Sequence, residues 1–277
     1  MNYYFKTNRG PISIDIFSDE LSKIKNAGMV VYTCNTNNYS PNNHYTDLSV
    51  YCKQNNYNYF VFTDRLVKDL DKSRQILFSY KAPDPRYAAK IFKIFPILFF
   101  DNAKYSLWID ANISFLKDLN LLINNFVSSE NNFVLFKHNK RNNVIDESIE
   151  CMKYGKDDSI IIKSQIQRYS KEIKNLERLG LYRGCVLLRK HTSSVNEMSN
   201  SWWNEISNGS IRDQLSLPIA IEKNSIRLSV ERASNFKKYF TLGLHNKYKM
   251  YGIGNSIGSS LISFKAKLLY YLSKYLH

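Results

Sequence analysis

Short, almost unbroken apolar runs recur along the chain, separated by longer stretches in which apolar residues return every three or four positions. That alternation of buried strands with amphipathic helices predicts an α/β fold built on a mixed sheet flanked by helices. Strands are expected at 29–33 (M-V-V-Y-T), 59–63 (Y-F-V-F-T), 105–109 (Y-S-L-W-I), 133–136 (F-V-L-F), 182–189 (Y-R-G-C-V-L-L-R) and 226–230. Residues 1–28 are polar and poorly patterned, with one alternating piece at 12–16 that reads as an edge strand or a lead-in. Helical spacing appears at 115–127, at 194–208 and over 158–180, where Ile162, Ile166, Tyr169, Ile173 and Leu176 make a core-facing stripe ended by Gly180. Pro85 is placed to start another helix, on which Arg86, Lys90 and Lys93 share a face. The pattern divides the chain into a main domain over 1–250 and a tail over 251–277.

The ends of the strands carry the chemistry. The run at 105–109 stops at Asp110 and Asn112, and the crevice beyond the carboxyl ends of such strands is where α/β proteins bind ligands. Thr33 and Asp64 close the two preceding strands, and Lys137, His138, Lys140 and Arg141 follow the strand at 133–136. The loop after Thr33 lacks G-x-G-x-x-G, so a dinucleotide fold is not supported. The cationic face of the Pro85 helix reads in two ways, as a solvated surface or as a diphosphate site, with Arg86 and Lys90 the better candidates for the latter.

Composition narrows this only partly. A formal charge of +15 on 277 residues attracts polyanions, whether nucleic acid, an anionic membrane or a phosphate-rich substrate. Cys34, Cys52, Cys151 and Cys185 form no C-x-x-C pair, which argues against structural zinc and a disulfide framework. The first residues have no apolar h-region and no long uncharged apolar run occurs, so the expectation is a cytoplasmic protein. In the tail, Leu261, Ile262, Phe264, Leu268, Leu269, Leu272 and Leu276 form a band beside Lys265, Lys267 and Lys274. Such an amphipathic helix lies on anionic membranes, or docks on its own domain or a second subunit.

Taken in order, V-V-Y-T (30–33), F-T-D (62–64), D-P-R-Y-A-A-K (84–90), Y-S-L-W-I-D-A-N-I (105–113), F-K-H (136–138), R-G-C-V-L-L-R (183–189), W-W-N-E-I (202–206) and R-D-Q-L-S (212–216) resemble the TOD/MUCI-type hexosyltransferase family. The resemblance covers roughly residues 29 to 220, and it implies a GT-A-like fold and a sugar transferase using a nucleotide-sugar donor, expected to be a UDP-sugar. It also implies a divalent cation, Mn²⁺ or Mg²⁺, on an Asp-x-Asp step. Here Asn112 replaces the second acid; its amide oxygen is a ligand without charge. Asp110, Asn112 and the late-chain His245 are the expected metal side. Thr33, Asp64, Arg86, Lys90 and Lys247 are expected around the donor. An inverting transferase needs a base for the acceptor hydroxyl, for which Asp213 is the first candidate and Glu205 the second; retaining chemistry needs none. Trp202 and Trp203 read either as core or as an acceptor platform. The expected acceptor is a saccharide or lipid-linked glycan for a surface polysaccharide or glycolipid, made at the inner face of the cytoplasmic membrane. A nucleotidyl- or phospho-sugar transferase is the alternative enzyme. A nucleic-acid-binding module is the alternative binder, though nucleic acid is not expected because no helix-turn-helix, RNA-recognition or zinc motif is present.

Overall fold

The strongest apolar runs end up in the middle of one sheet. The computed structural model describes residues 1–243 apart from 22–23, 25–27, 38–39, 41–42 and 69. In chain order the elements are a hairpin of β1 (Asn2–Thr7) and β2 (Gly10–Ile16), α1 (Ser18–Leu21), β3 (Met29–Asn35), α2 (Asn43–Gln54), β4 (Asn58–Thr63), β5 (Gln75–Lys81), α3 (Pro85–Ile94), α4 (Pro96–Phe99) and β6 (Tyr105–Ile109). There follow β7 (Ile113–Phe115), α5 (Asn120–Val127), β8 (Phe133–Lys137), α6 (Val144–Lys153), α7 (Ser159–Glu172), β9 (Tyr182–Lys190), α8 (Ser193–Ser207), α9 (Asp213–Lys223), β10 (Leu228–Glu231), α10 (Ala233–Tyr239) and β11 (Phe240–Leu242).

Among the described residues, nine strands join in the order β1-β2-β5-β4-β3-β6-β9-β8-β10, and β7 pairs with β11 apart from them. β3 runs parallel to both β4 and β6, so Val31 stands between Tyr59 and Leu107. These strands are buried on both faces, which is why they read as continuous apolar runs. β9 enters antiparallel between β6 and β8 and brings the start of its sequence to the edge where the parallel strands end. One core lies under α3 and α8, with Tyr32, Phe62, Phe92, Trp108 and Trp202. The opposite face buries Val31, Leu107, Ile109, Phe136 and Phe236, and α6, α7 and α9 form a third cluster around Ile162, Tyr169 and Leu215. This is the α/β, mixed-sheet architecture expected from the periodicity.

Several boundaries differ from the sequence expectation for physical reasons. The first residues form a full hairpin: Tyr3 and Phe5 pack on the core, while Tyr4 between them is 76% exposed and hides the alternation. The strand stops at Asp110 as expected, where the Ile113 amide donates to the Asp110 carbonyl (2.9 Å), but residues 113–115 pair with β11 and the helix expected from 115 starts only at Asn120. The long stripe over 158–180 stops at Glu172, because Ile173 is extended and Asn175 is left-handed (φ 60°) before a 3-10 turn at Leu176–Arg178. All four cysteines are free. No helix among the described residues is long and apolar enough to cross a membrane. The expected tail helix over 251–277 lies outside the described residues.

Candidate active site at the carboxyl edge of the sheet

β6 delivers Asp110 to the edge and the surrounding chain locks it there. The Asp110 amide donates to the Cys185 carbonyl of β9 (2.8 Å), fixing the backbone. The indole Nε1 of Trp108 donates to Oδ1 (2.7 Å), and Lys93 Nζ lies 3.4 Å from the same oxygen. The Asp110 side chain keeps 33% of its exposure, and its Oδ2 has no hydrogen-bond partner among the described residues.

Lys93 comes from α3, which starts at Asp84; that side chain accepts the Arg86 amide, and Pro85 occupies the first turn. Helical side chains lean toward the N-terminus, so Lys90 and Lys93, one turn apart, both point back to the crevice. There they meet Asp213, the first residue of α9: Lys90 Nζ is 2.9 Å from Oδ1, and Lys93 Nζ is 2.6 Å from Oδ2. Gly184 of β9 makes room, since a Cβ there would stand 3.4 Å from Lys93 Nζ and 3.7 Å from Asp213 Oδ2. The result is a fixed row, Lys90, Asp213, Lys93, Asp110. Beneath it the wholly buried Arg189 donates to the Lys93 carbonyl (2.5 Å) and to the Tyr32 hydroxyl, pinning this turn of α3 to the sheet.

The charges in the row are set by burial and by one another. Burial opposes the Lys93 cation, but Asp110 and Asp213 outweigh it and hold the ammonium up at about 12. For Lys90 burial prevails, with Lys93 and Arg212 adding to it against Asp213, and the ammonium falls to about 8. Burial would raise Asp213, yet Lys90, Lys93 and Arg212 hold its carboxyl far below the usual range. A carboxylate held this way is a poor proton acceptor, and its geometry suits fixing two cations better than general-base work.

Asn112 has a different task from Asp110. Its Nδ2 donates to the Gly243 carbonyl (2.9 Å), and the Gly243 amide donates to the Asn112 backbone carbonyl (2.7 Å), extending the β7 to β11 pairing. An aspartate could not make the first of these bonds. His245 and Lys247 follow Gly243 in sequence and lie outside the described residues. Among the described residues no group of three or more His, Cys, Asp or Glu side chains could hold a metal ion. The open Oδ2 of Asp110 nevertheless fits a hard cation that takes most of its ligands from a phosphate, as magnesium commonly does.

The remaining expected residues separate into two groups. Thr33 and Asp64 end β3 and β4 beside a loop that reaches the start of α3: Thr33 is buried with an unpartnered Oγ1, and Asp64 accepts the Asn37 amide (2.7 Å) in the loop whose Thr36 hydroxyl donates to the Pro85 carbonyl (3.4 Å). That loop is held by reciprocal bonds between Asn35 and Ser40. Arg86 turns away from Asp110; it forks onto Asp84 (2.7 Å) and donates to the Lys156 carbonyl (3.0 Å). Glu205, 3% exposed, is tied to Arg168 and to Lys223 (3.0 Å), and so joins α7, α8 and α9 rather than facing the row. Trp202 is core, and its Nε1 donates to the Asp213 carbonyl (3.0 Å). The Pro85 face is therefore no solvated surface at Lys90 and Lys93. Lys93, more than Arg86, is the cation at the crevice, and its setting, I-F-K-I-F, marks a lysine among buried neighbours.

Comparison with known proteins bears on this arrangement. The probable hexosyltransferase MUCI70 of Arabidopsis thaliana is 30% identical over 148 residues, which is 50% of this chain and 26% of that protein, so the match spans about a quarter of the relative's length. A crystal structure of a glycosyltransferase involved in the glycosylation of the major capsid of PBCV-1 aligns with 87% of this chain and 98% of its own, at 9% identity and a TM-score of 0.42. The description of the TOD1/MUCI70, glycosyltransferase-like domain matches residues 5–241, a span that includes Lys90, Lys93, Asp110 and Asp213. The chain belongs to the TOD1/MUCI70 glycosyltransferase-like domain family.

Proposed function

We propose that this chain is a glycosyltransferase that moves a hexose from a nucleotide-sugar donor to a saccharide or lipid-linked acceptor. The observation that carries the reading is Lys93, a buried ammonium within reach of Asp110 and bonded to Asp213 at the carboxyl edge of the sheet. As the glycosidic bond to the donor breaks, the leaving diphosphate gains negative charge, and cations already in place stabilise it without reorganisation. Lys93 and Lys90 supply that charge, and Asp213 is the positioning residue that keeps them aligned. Asp110, the Asn112 amide oxygen and His245 are the residues that would hold a divalent cation, Mn²⁺ or Mg²⁺. When bound, it would act as a Lewis acid on the diphosphate. The loop after β3, with Thr33 and Asp64, is the proposed nucleoside side, with UDP as the first nucleotide to try; Lys247 and Arg86 are proposed at its rim.

A place on the inner face of the cytoplasmic membrane fits the charge: residues 244–277 contain Lys247, Lys249, Lys265, Lys267 and Lys274 and no Asp or Glu. Calorimetric titration with UDP in the presence of Mn²⁺ tests the reading. Saturable binding is expected, with Lys93→Met weakening it by about tenfold to a hundredfold, as for loss of a charge-assisted contact of roughly 1.5–3 kcal/mol. No binding of UDP or of any other nucleoside diphosphate to the folded chain would refute it.

A further inference from the structure

Arg183 is a cation at the crevice that enters no ion pair among the described residues. It stands on β9 immediately before Gly184, and is 8% exposed. Its guanidinium lies 4.2 Å from the ring centroid of Phe236 on α10. Nε is sealed from solvent without a partner. Among the described residues the guanidinium enters no hydrogen bond and no ion pair, whereas the nearby Arg141 is matched by Glu147. Residues 244–277 have no Asp or Glu side chain to offer it. A buried charge left without a counter-charge is costly to keep. Stacking on Phe236 covers a face of the guanidinium and leaves its edge, the geometry that takes a carboxylate or phosphate in two parallel bonds.

The position ties this cation to the crevice and separates it from the lysine row. The Cys185 carbonyl receives the Asp110 amide, so Arg183 is two strand residues, about 7 Å along β9, from the backbone that carries Asp110. Neighbouring strand residues point to opposite faces: Gly184 faces Lys93 and Asp213, and Arg183 faces Phe236. The diphosphate already has its cations on the first face. Building on the transferase reading above, we propose that Arg183 is a specificity-determining residue that binds an anionic group on a substrate sugar, either the carboxylate of a uronic acid or a phosphate ester.

The full chain and its Arg183→Met variant are titrated with three matched pairs: methyl glucuronide against methyl glucoside, glucose 6-phosphate against glucose, and UDP-glucuronic acid against UDP-glucose. The pairs distinguish carboxylate from phosphate and donor from acceptor. In at least one pair the wild type should bind the charged member tenfold or more tightly. Arg183→Met should bring that ratio to within twofold while melting no lower than the wild type, because it removes an unmatched charge and keeps the apolar stem on Phe236. Ratios below tenfold in all three pairs, or a preference that survives in the variant, would overturn the proposal. Absence of UDP-glucose binding with the charged preference intact would count against the transferase reading and leave the Arg183 site standing.

Discussion

A lysine inside an apolar helix face needs a reason, and Lys93 has two carboxylates as its reason. The side chains of Lys93 and Asp213 are 6% and 9% exposed, so neither charge is matched by bulk water. Removing one partner of such a pair leaves a buried charge uncompensated. Asp213→Asn should therefore destabilise the fold by about 3–5 kcal/mol, and adding Lys93→Met should recover part of that loss. Denaturant titration of the two single variants and the double variant checks this; simple additivity would contradict the coupling. Lys90 gives the row a pH dependence. Its ammonium sits at about 8, so UDP affinity should fall as pH rises through 8, when the cation is lost. Affinity unchanged between pH 7 and 9 would remove Lys90 from the binding site.

At the level of elements, the turn after β6 joins the crevice to the β7 and β11 pair. The sequence showed where this turn begins, because the apolar run at 105–109 stops at Asp110. It did not show what Asn112 holds, since Gly243 is 131 residues away. The same limit hid the partners of Lys93: Asp213 lies 120 residues further along the chain, and no local pattern reports a contact of that kind. The W-W-N-E-I motif points Glu205 toward catalysis, whereas the packing of α7 and α9 on α8 gives it Arg168 and Lys223. The donor role of Asn112 makes a counter-intuitive prediction. Asn112→Asp restores an Asp-x-Asp step but loses the bond to Gly243, so activity should fall, by roughly tenfold for a hydrogen bond worth about 1–1.5 kcal/mol. A variant more active than the wild type in Mn²⁺ titrations would show that metal ligation dominates at this position.

For the whole molecule, most of the fold was legible because each central strand is buried on both faces and carries its own apolar signature. β1, β5 and α9 were not, since their burial is one-sided or depends on partners elsewhere. The charge distribution has a consequence for the entire chain. Asp84, Asp157, Glu205 and Asp213 all have carboxyls lowered in the folded state, with burial working against the shift and bonds to cations, hydroxyls and amides overcoming it. Groups lowered on folding contribute fully above their unfolded values of about 3.9–4.3, and the contribution is lost as pH falls toward the folded values. The melting temperature should hold from pH 7 to about 5 and drop steeply below about 4. A melting temperature that rises on acidification would contradict this.

The claim that the crevice around Asp110 and Lys93 performs glycosyl transfer is tested most directly by product release. The wild-type chain, supplied with a panel of nucleotide hexoses, Mn²⁺ and saccharide acceptors, should release the nucleoside diphosphate. Asp110→Ala, which removes a partly exposed side chain and should stay folded, should slow that release by about 10²–10³-fold. Release at the wild-type rate from Asp110→Ala, or release of a monophosphate or pyrophosphate in place of the diphosphate, would contradict the assignment.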